Sequence, residues 1–338
     1  MCRAIERVVV IPTVISEVGS VHDGSFGNAI KLIELSSSLG ADAVKFQTHI
    51  SSEETLKDAA SPGYFSAENR YDYFIRTGFE KSQWGELKAC ADEHDITFIS
   101  SPFSQLAVEW LIEIGVAALK VASGEVTNLP MLEVMRDSGV PVILSSGMSD
   151  WKELDAAVEM LSGAEITLMQ CSSSYPCAYD DVGLNVMSEM QERYGLPVGF
   201  SDHTETNYAA FAAVAKGAVC IEKHLTFSKA MYGSDAPLAA EPDQFSDLVN
   251  GVRAITEINN SVVDKNDLSS YLEMKQIFEK SIVANRNLEA GDVLRLEMLA
   301  FKKPGGGISA SRYKEVIGKE LVRAVKADQM LHQEDILS

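Results

Sequence analysis

Eight short apolar runs punctuate roughly the first 250 residues, the length of one α/β barrel. They are VVVIPTVIS (8–16), DAVKFQT (42–48), ITFISS (96–101), ALKVAS (118–123), PVILSS (141–146), ITLMQCSS (166–173), PVGFS (197–201) and VCIEKH (219–224). Each is β-branched and closes on polar or small residues, the texture of strands buried on both faces of a parallel sheet. Stretches of helical period lie between them. The spacing predicts helices over 28–39, with Ile30, Leu32, Ile33, Leu35 and Leu39 on the buried side, and over 104–114, 150–161 and 205–216. Ser104 and Asp150 are placed to cap two of these, and Gly217 to end a third. Eight β-then-α units predict a (β/α)8 TIM barrel. A doubly wound open sheet fits less well, because no GxGxxG follows the first run.

Past residue 258 the texture changes. The polar stretch 259–275 (NNSVVDKNDLSSYLEMK) reads as a linker with a short helix. Residues 276–338 show short strands and tight turns such as Glu289–Asp292, which predicts a small β-rich domain after the 1–258 barrel. About 60 residues make a marginal core alone, so packing against a barrel is expected.

Composition narrows the function. With 46% hydrophobic and 23% charged residues the chain is an ordinary globular protein. Its 29 basic and 49 acidic residues leave a net charge of −20, which argues against nucleic acid and anionic lipid as partners. A pocket can still gather lysines against that field. The N-terminal apolar run is cut by Glu17, too short to span a bilayer, no signal peptide is expected, and no window of about 18 apolar residues follows. The five cysteines show no metal-like spacing, so reduced thiols and a cytoplasmic location are expected.

The active site of a barrel gathers where its strands end. Polar groups at those ends are Glu17, Lys45, Gln47, Ser100, Ser101, Lys120, Ser123, Ser145, Ser146, Gln170 to Tyr175, Ser201 to His203 and Glu222 to His224. His203 and His224 stand one βα repeat apart, ending the seventh and eighth strands. They are candidates for one divalent ion or for structural hydrogen bonds, with Asp202 and Glu222 as residues that would orient the rings. Lys45 and Lys120 end the second and fourth strands. Either they are neutralised by Glu17 or Glu125, or they hold a phosphate or carboxylate with hydroxyls from Ser123, Ser145, Ser146 and Ser201. A Schiff-base lysine is the competing chemistry. The segment KKPGGGIS (302–309) is a surface turn or a loop that closes over the barrel mouth.

On these segments the chain resembles the sialic acid synthase (N-acetylneuraminate synthase) family. ISEVGSVHDGS (15–25), GADAVKFQT (40–48), LKVASGEVTNLPML (119–132), CSSSYPCAYDDVGLN (171–185), LPVGFSDHT (196–204), IEKHLT (221–226) and GSDAPLAAEP (233–242) carry the likeness. KSIVANRNLEAGD and FKKPGGGIS look like the family's C-terminal antifreeze-like (SAF, β-clip) domain. The resemblance implies a reaction: phosphoenolpyruvate condenses with the open-chain aldehyde of an N-acylated hexosamine, giving a nine-carbon 2-keto sugar acid and phosphate. N-acetylmannosamine is the best-known acceptor; legionaminic and pseudaminic acid synthases use diacetamido sugars. A sugar-binding relative without catalysis, and a barrel enzyme acting on a phosphorylated sugar, are the alternatives.

The resemblance also implies roles. A divalent metal, Mn²⁺ before Mg²⁺ or Co²⁺, sits on His203 and His224. Lys45, Lys120, Ser123 and Ser201 hold phosphoenolpyruvate, with Ser101 near its carboxylate and Ser145 and Ser173 among its hydroxyl contacts. Glu17 is the acid–base group. Gln47, Tyr175 and Asp235 bind the sugar, and Glu125 is a further substrate-binding residue. Phe278 and Lys303 come from the small domain of the other subunit, which implies a domain-swapped homodimer. Val21-His22, Gln170-Cys171-Ser172-Ser173 and Lys302-Lys303-Pro304-Gly305 depart from the family's usual Asn-His, His-Cys-Thr-Asn/Ser and Lys-Arg-Pro-Gly. A lysine lacks the arginine fork, so contacts to the acceptor are expected to differ.

Overall fold

The computed structural model describes residues 11–60, 68–174 and 176–337. Every apolar run holds a strand: β1 (Thr13–Gly19), β2 (Ala43–Thr48), β3 (Thr97–Pro102), β4 (Ala118–Val121), β5 (Val142–Ser145), β6 (Ile166–Cys171), β7 (Val198–Asp202) and β8 (Cys220–His224). Residues 8–10 of the first run lie outside the described residues. The strands pair in chain order, all parallel, and β8 returns to pair with β1, so the expected TIM barrel closes.

The helices between them are α1 (Phe26–Ser38), α2 (Lys81–Glu93), α3 (Gln105–Ile114), α4 (Leu129–Asp137), α5 (Trp151–Met160), α6 (Leu184–Tyr194), α7 (Tyr208–Ala215) and α8 (Pro242–Asn260). Ser104 caps α3 by accepting from the Ala107 N–H at 3.2 Å. Asp150 caps α5 in a reciprocal box: it accepts from Glu153 N–H at 2.9 Å, and the Glu153 carboxylate accepts from Asp150 N–H at 3.1 Å. A further helix, Arg70–Thr77, is inserted between β2 and α2.

Side-chain parity sorts each strand between two cores. Val14, Val44, Phe98, Leu119, Leu144, Leu168, Phe200 and Ile221 face the helices and pack with residues such as Leu32, Leu111, Leu132 and Leu248. The opposite parity turns inward, where Ile15, Ala43, Ile99, Ala118, Ile143, Met169 and Cys220 form a separate apolar plug. Two residues further along each strand the inward positions turn polar: Glu17, Lys45, Ser101, Lys120, Ser145, Cys171, Ser201 and Glu222, all buried. This layering of inward side chains is what fills a barrel. Here the second layer is the floor of a site.

The chain divides into two compact units, Met1–Ser261 and Val262–Ser338. In the second, β9 (Ser281–Ala284) pairs antiparallel with β10 (Leu299–Lys302) over a core that includes Ile282, Leu294 and Leu331. The expected turn at 289–292 is present, with Asp292 accepting at its side chain from Glu289 N–H at 2.9 Å. Among the described residues no helix is long and apolar enough to cross a membrane. The four described cysteines are buried and free.

Candidate active site

The polar floor is an ion-paired network. Lys45 Nζ lies 2.9 Å from Glu17 Oε2 and 3.5 Å from Glu222 Oε1. Lys120 Nζ lies 3.1 Å from Glu222 Oε2. Ser201 donates to Glu222 at 3.1 Å, and Lys45 reaches Ser101 Oγ at 3.4 Å. Burial works against the charge on Lys45, but Glu17 and Glu222 outweigh it and hold its pKa above the ordinary lysine value. Burial alone would raise the Glu222 carboxyl; Lys120 and Lys45 more than reverse this and bring it down to about 2. Two carboxylates thus face two ammonium groups, leaving this layer without net charge.

Glu17 pairs with Lys45 as expected, and Glu222 corrects the rest. It neutralises Lys120 and shares Lys45 with Glu17, whereas Glu125 bonds instead to Asn128 Nδ2 at 2.8 Å. Nor does Asp202 orient a histidine. Its parity points it out of the barrel, where it takes the Lys223 ammonium at 2.7 Å; Lys223 also bonds the carbonyls of Thr204 and Thr206, both at 2.9 Å. Ser100 and Ser146 face outward for the same reason, bonding Thr48 and Gln170, each at 2.8 Å.

Above the floor, hydroxyls converge on Gly147. A Cβ on Gly147 would overlap both Ser123 Oγ and Ser173 Oγ, so the absence of a side chain is what lets the two meet there. Ser173 Oγ is buried without a hydrogen-bond partner. Ser145 is buried at the end of β5 with inward parity.

His203 and His224 come together on neighbouring staves, ring centroids 5.8 Å apart. His203 Nδ1 donates to the Ser172 carbonyl at 2.7 Å, which in the neutral ring puts the lone pair on Nε2. His224 Nδ1 is buried with no hydrogen-bond partner. Burial holds His224 below the ordinary imidazole value despite Asp235 and Glu17 nearby, which keeps its ring neutral. Asp235 accepts from Ser20 N–H at 2.7 Å and Ser20 Oγ at 2.8 Å. Gly19, at the β1 bulge with φ +52°, leaves the room this approach needs: its Cβ would stand 2.5 Å from Asp235 Oδ2 and 3.1 Å from His224 Cε1.

A cavity of about 270 Å³ opens over these groups, lined by Gln47, His49, Arg70, Ser123, Glu125, Ser173, His224 and Asp235. Gln47 donates to Glu17 Oε1 at 2.7 Å. Tyr175 lies outside the described residues. Phe278 and Lys303 sit together within the second unit, Lys303 Nζ 5.0 Å from the Phe278 ring centroid. His22, which follows the departure at Val21, serves the fold: its Nδ1 accepts from Gly24 N–H at 3.1 Å, and its ring packs 4.7 Å from Phe79. Sequence reasoning passed over His49, Arg70 and Gly147. His49 carries a legible signal, since it continues the inward parity of Lys45 and Gln47.

A closed parallel barrel with charged, hydroxyl and imidazole groups at its strand ends defines a TIM-barrel enzyme. The chain belongs to the NeuB family, whose model matches residues 32–264, and a SAF domain follows at residues 279–337. The resemblance read from the sequence is therefore borne out, and the protein is a sialic acid synthase-like enzyme. Over 330 residues it is 33% identical to the N,N'-diacetyllegionaminic acid synthase of Campylobacter jejuni, covering 95% of this chain and 98% of that one. It is 30% identical to the human N-acetylneuraminate-9-phosphate synthase over 330 residues, 95% and 91% of the two chains. The structure of the N-acetylneuraminic acid synthetase of Leptospira borgpetersenii superposes with a TM-score of 0.69 at 30% identity, covering 78% of this chain and 90% of that one.

Proposed function

We propose that the enzyme condenses phosphoenolpyruvate with the open-chain aldehyde of an unphosphorylated N-acylated amino sugar to give a nine-carbon 2-keto sugar acid and phosphate. The observation that carries this reading is the stack of layers: a lysine–glutamate floor, a hydroxyl cradle at Gly147, and two imidazoles beside it.

The donor is held as an anion by Lys45 and Lys120, with Ser101, Ser123, Ser145, Ser173 and Ser201 as hydroxyl donors. The floor has no net charge, so a polyanion needs further positive charge close by. A divalent ion on His203 and His224 fits that need. The buried Nδ1 of His224 has no partner, and the Ser172 carbonyl fixes the His203 tautomer. Among the described residues no cluster of three or more His, Cys, Asp or Glu side chains forms a metal cage. Two imidazoles completed by small oxygen ligands suit Mn²⁺, with Mg²⁺ and Co²⁺ as alternatives. When bound, the ion supplies a Lewis acid at the aldehyde oxygen and offsets the donor's charge.

In the condensation, C3 of the donor bonds to the aldehyde carbon, whose oxygen takes a proton. Water adds at C2, and the bond from C2 to the phosphate oxygen breaks to leave the ketone. Glu17, ion-paired to Lys45 and bonded to Gln47, stands as the carboxylate that takes the proton from water. Gln47, Glu125, Asp235 and Tyr175 are assigned to the sugar. Lys303 and Phe278 are assigned to the acceptor side of the partner subunit's site in a swapped homodimer.

An unphosphorylated acceptor is favoured by the cavity lining, where Arg70 is the one cationic side chain beside Glu125 and Asp235 among the described residues. A diacetamido sugar is the second reading, favoured by the relative's name. Phosphate release from phosphoenolpyruvate, measured with free and phosphorylated amino sugars and with Mn²⁺ or a chelator, tests the proposal. Release is expected only with a free sugar and metal together; release with the phosphorylated sugar alone overturns the acceptor assignment.

A further inference from the structure

We infer that His49 is a positioning residue, which aims the Gln47 amide so that its N–H group is held on Glu17. This rests on the assignment of Glu17 as the proton carrier. His49 Nε2 lies 3.2 Å from Gln47 Oε1, and Gln47 Nε2 lies 2.7 Å from Glu17 Oε1. On its other side, His49 Nδ1 lies 2.8 Å from Glu54 Oε1. The chain runs without a gap from Glu54 through His49 and Gln47 to Glu17, and Glu17 is ion-paired to Lys45.

With Glu17 as a carboxylate, the donor order follows from the two contacts. With its amide reversed, Gln47 would set Oε1 against a Glu17 oxygen, two acceptors at hydrogen-bond distance. The amide nitrogen therefore faces Glu17, the amide oxygen faces His49, and His49 Nε2 must carry a hydrogen. One proton is then shared between His49 Nδ1 and Glu54. The ring has little freedom to leave this role. It is stacked between Phe74 and Phe103, centroids 3.6 and 4.0 Å away and both planes 18° from its own. The His49 side chain is 6% exposed and that of Glu54 4%. Burying this pair costs desolvation that a merely space-filling ring would not. The geometry points to a tether for Gln47, one hydrogen bond removed from the proton carrier.

Variants that separate the ring's two nitrogens test the inference. In His49→Gln the new amide reaches the place of Nε2; in His49→Asn it reaches the place of Nδ1. With phosphoenolpyruvate, an active acceptor and Mn²⁺, kcat of His49→Asn is expected to fall at least about tenfold and that of His49→Gln to stay within about threefold of wild type. The KM for phosphoenolpyruvate is expected to hold within about twofold in both, because the lysine floor is untouched. Glu54→Gln, which keeps volume and most packing, is expected to lower kcat in the same sense. Equal kcat in all three variants and wild type overturns the inference, as does an equal loss in His49→Asn and His49→Gln. Crystal structures of the variants decide independently of turnover. Gln47 still within hydrogen-bond distance of Glu17 in His49→Asn overturns the tether, and a Gln47 amide turned away supports it. An inactive wild type would count against the proposed reaction, while these structures would still judge the tether.

Discussion

Glu222 is shared by two buried ammonium groups, so its removal is felt twice. Glu222→Gln leaves Lys120 without its carboxylate and is expected to cost about 3–5 kcal/mol in urea unfolding at neutral pH. The same residue sets an acid limit. Its carboxyl is lowered from 4.5 to about 2 in the folded protein, so its contribution is complete above pH 4.5 and is lost as pH falls toward 2. Unfolding free energy measured between those values should fall as the acid end is approached, with a shallower slope in Glu222→Gln; identical slopes would contradict the network. Gly147→Ala makes a complementary case. The new Cβ meets the Ser123 and Ser173 hydroxyls and, at 3.0 Å, Ser123 Cβ, so the strain falls on the cradle and the fold should survive. The KM for phosphoenolpyruvate is expected to rise about tenfold or more while the melting temperature stays nearly constant. An unchanged KM would remove Ser123 and Ser173 from the donor site.

Strands β1 to β8 were legible because each opens on apolar residues, closes on polar or small ones, and is followed by a helical repeat. The caps at Ser104 and Asp150 were legible because they are local. Glu17 was legible as a partner for Lys45, but the partner of Lys120 could not be read without coordinates. Lys120 and Glu222 are 102 positions apart, and only closure of the barrel makes them neighbours. Parity explains the misplaced residue. Within β7 and β8, Ser201 and Glu222 share the interior, while the adjoining Asp202 and Lys223 form a pair on the helical side. That outer pair anchors the loop after His203 through the Thr204 and Thr206 carbonyls. Lys223→Met should therefore weaken Mn²⁺ binding in calorimetry by at least about threefold through loss of loop order. Unchanged affinity would show that the loop holds its course without Lys223.

At the scale of the whole molecule, the proposed swapped dimer makes a prediction that no single chain satisfies. His203→Ala and Lys303→Ala are each expected to be nearly inactive. After unfolding and refolding together in equal amounts, about half the dimers are mixed, and each of these holds one intact site, so about a quarter of wild-type turnover should return. No recovery would mean that each site is built from one chain.

The most direct measurement is the mass of the product made from phosphoenolpyruvate and a panel of free N-acylated amino sugars with Mn²⁺, alongside phosphate counted in the same vessel. The account expects, for at least one acceptor, a product heavier than the sugar by one pyruvic acid, one phosphate released per product, and loss of both in His224→Ala. Phosphate released without a heavier sugar, or a full yield from His224→Ala, would contradict it.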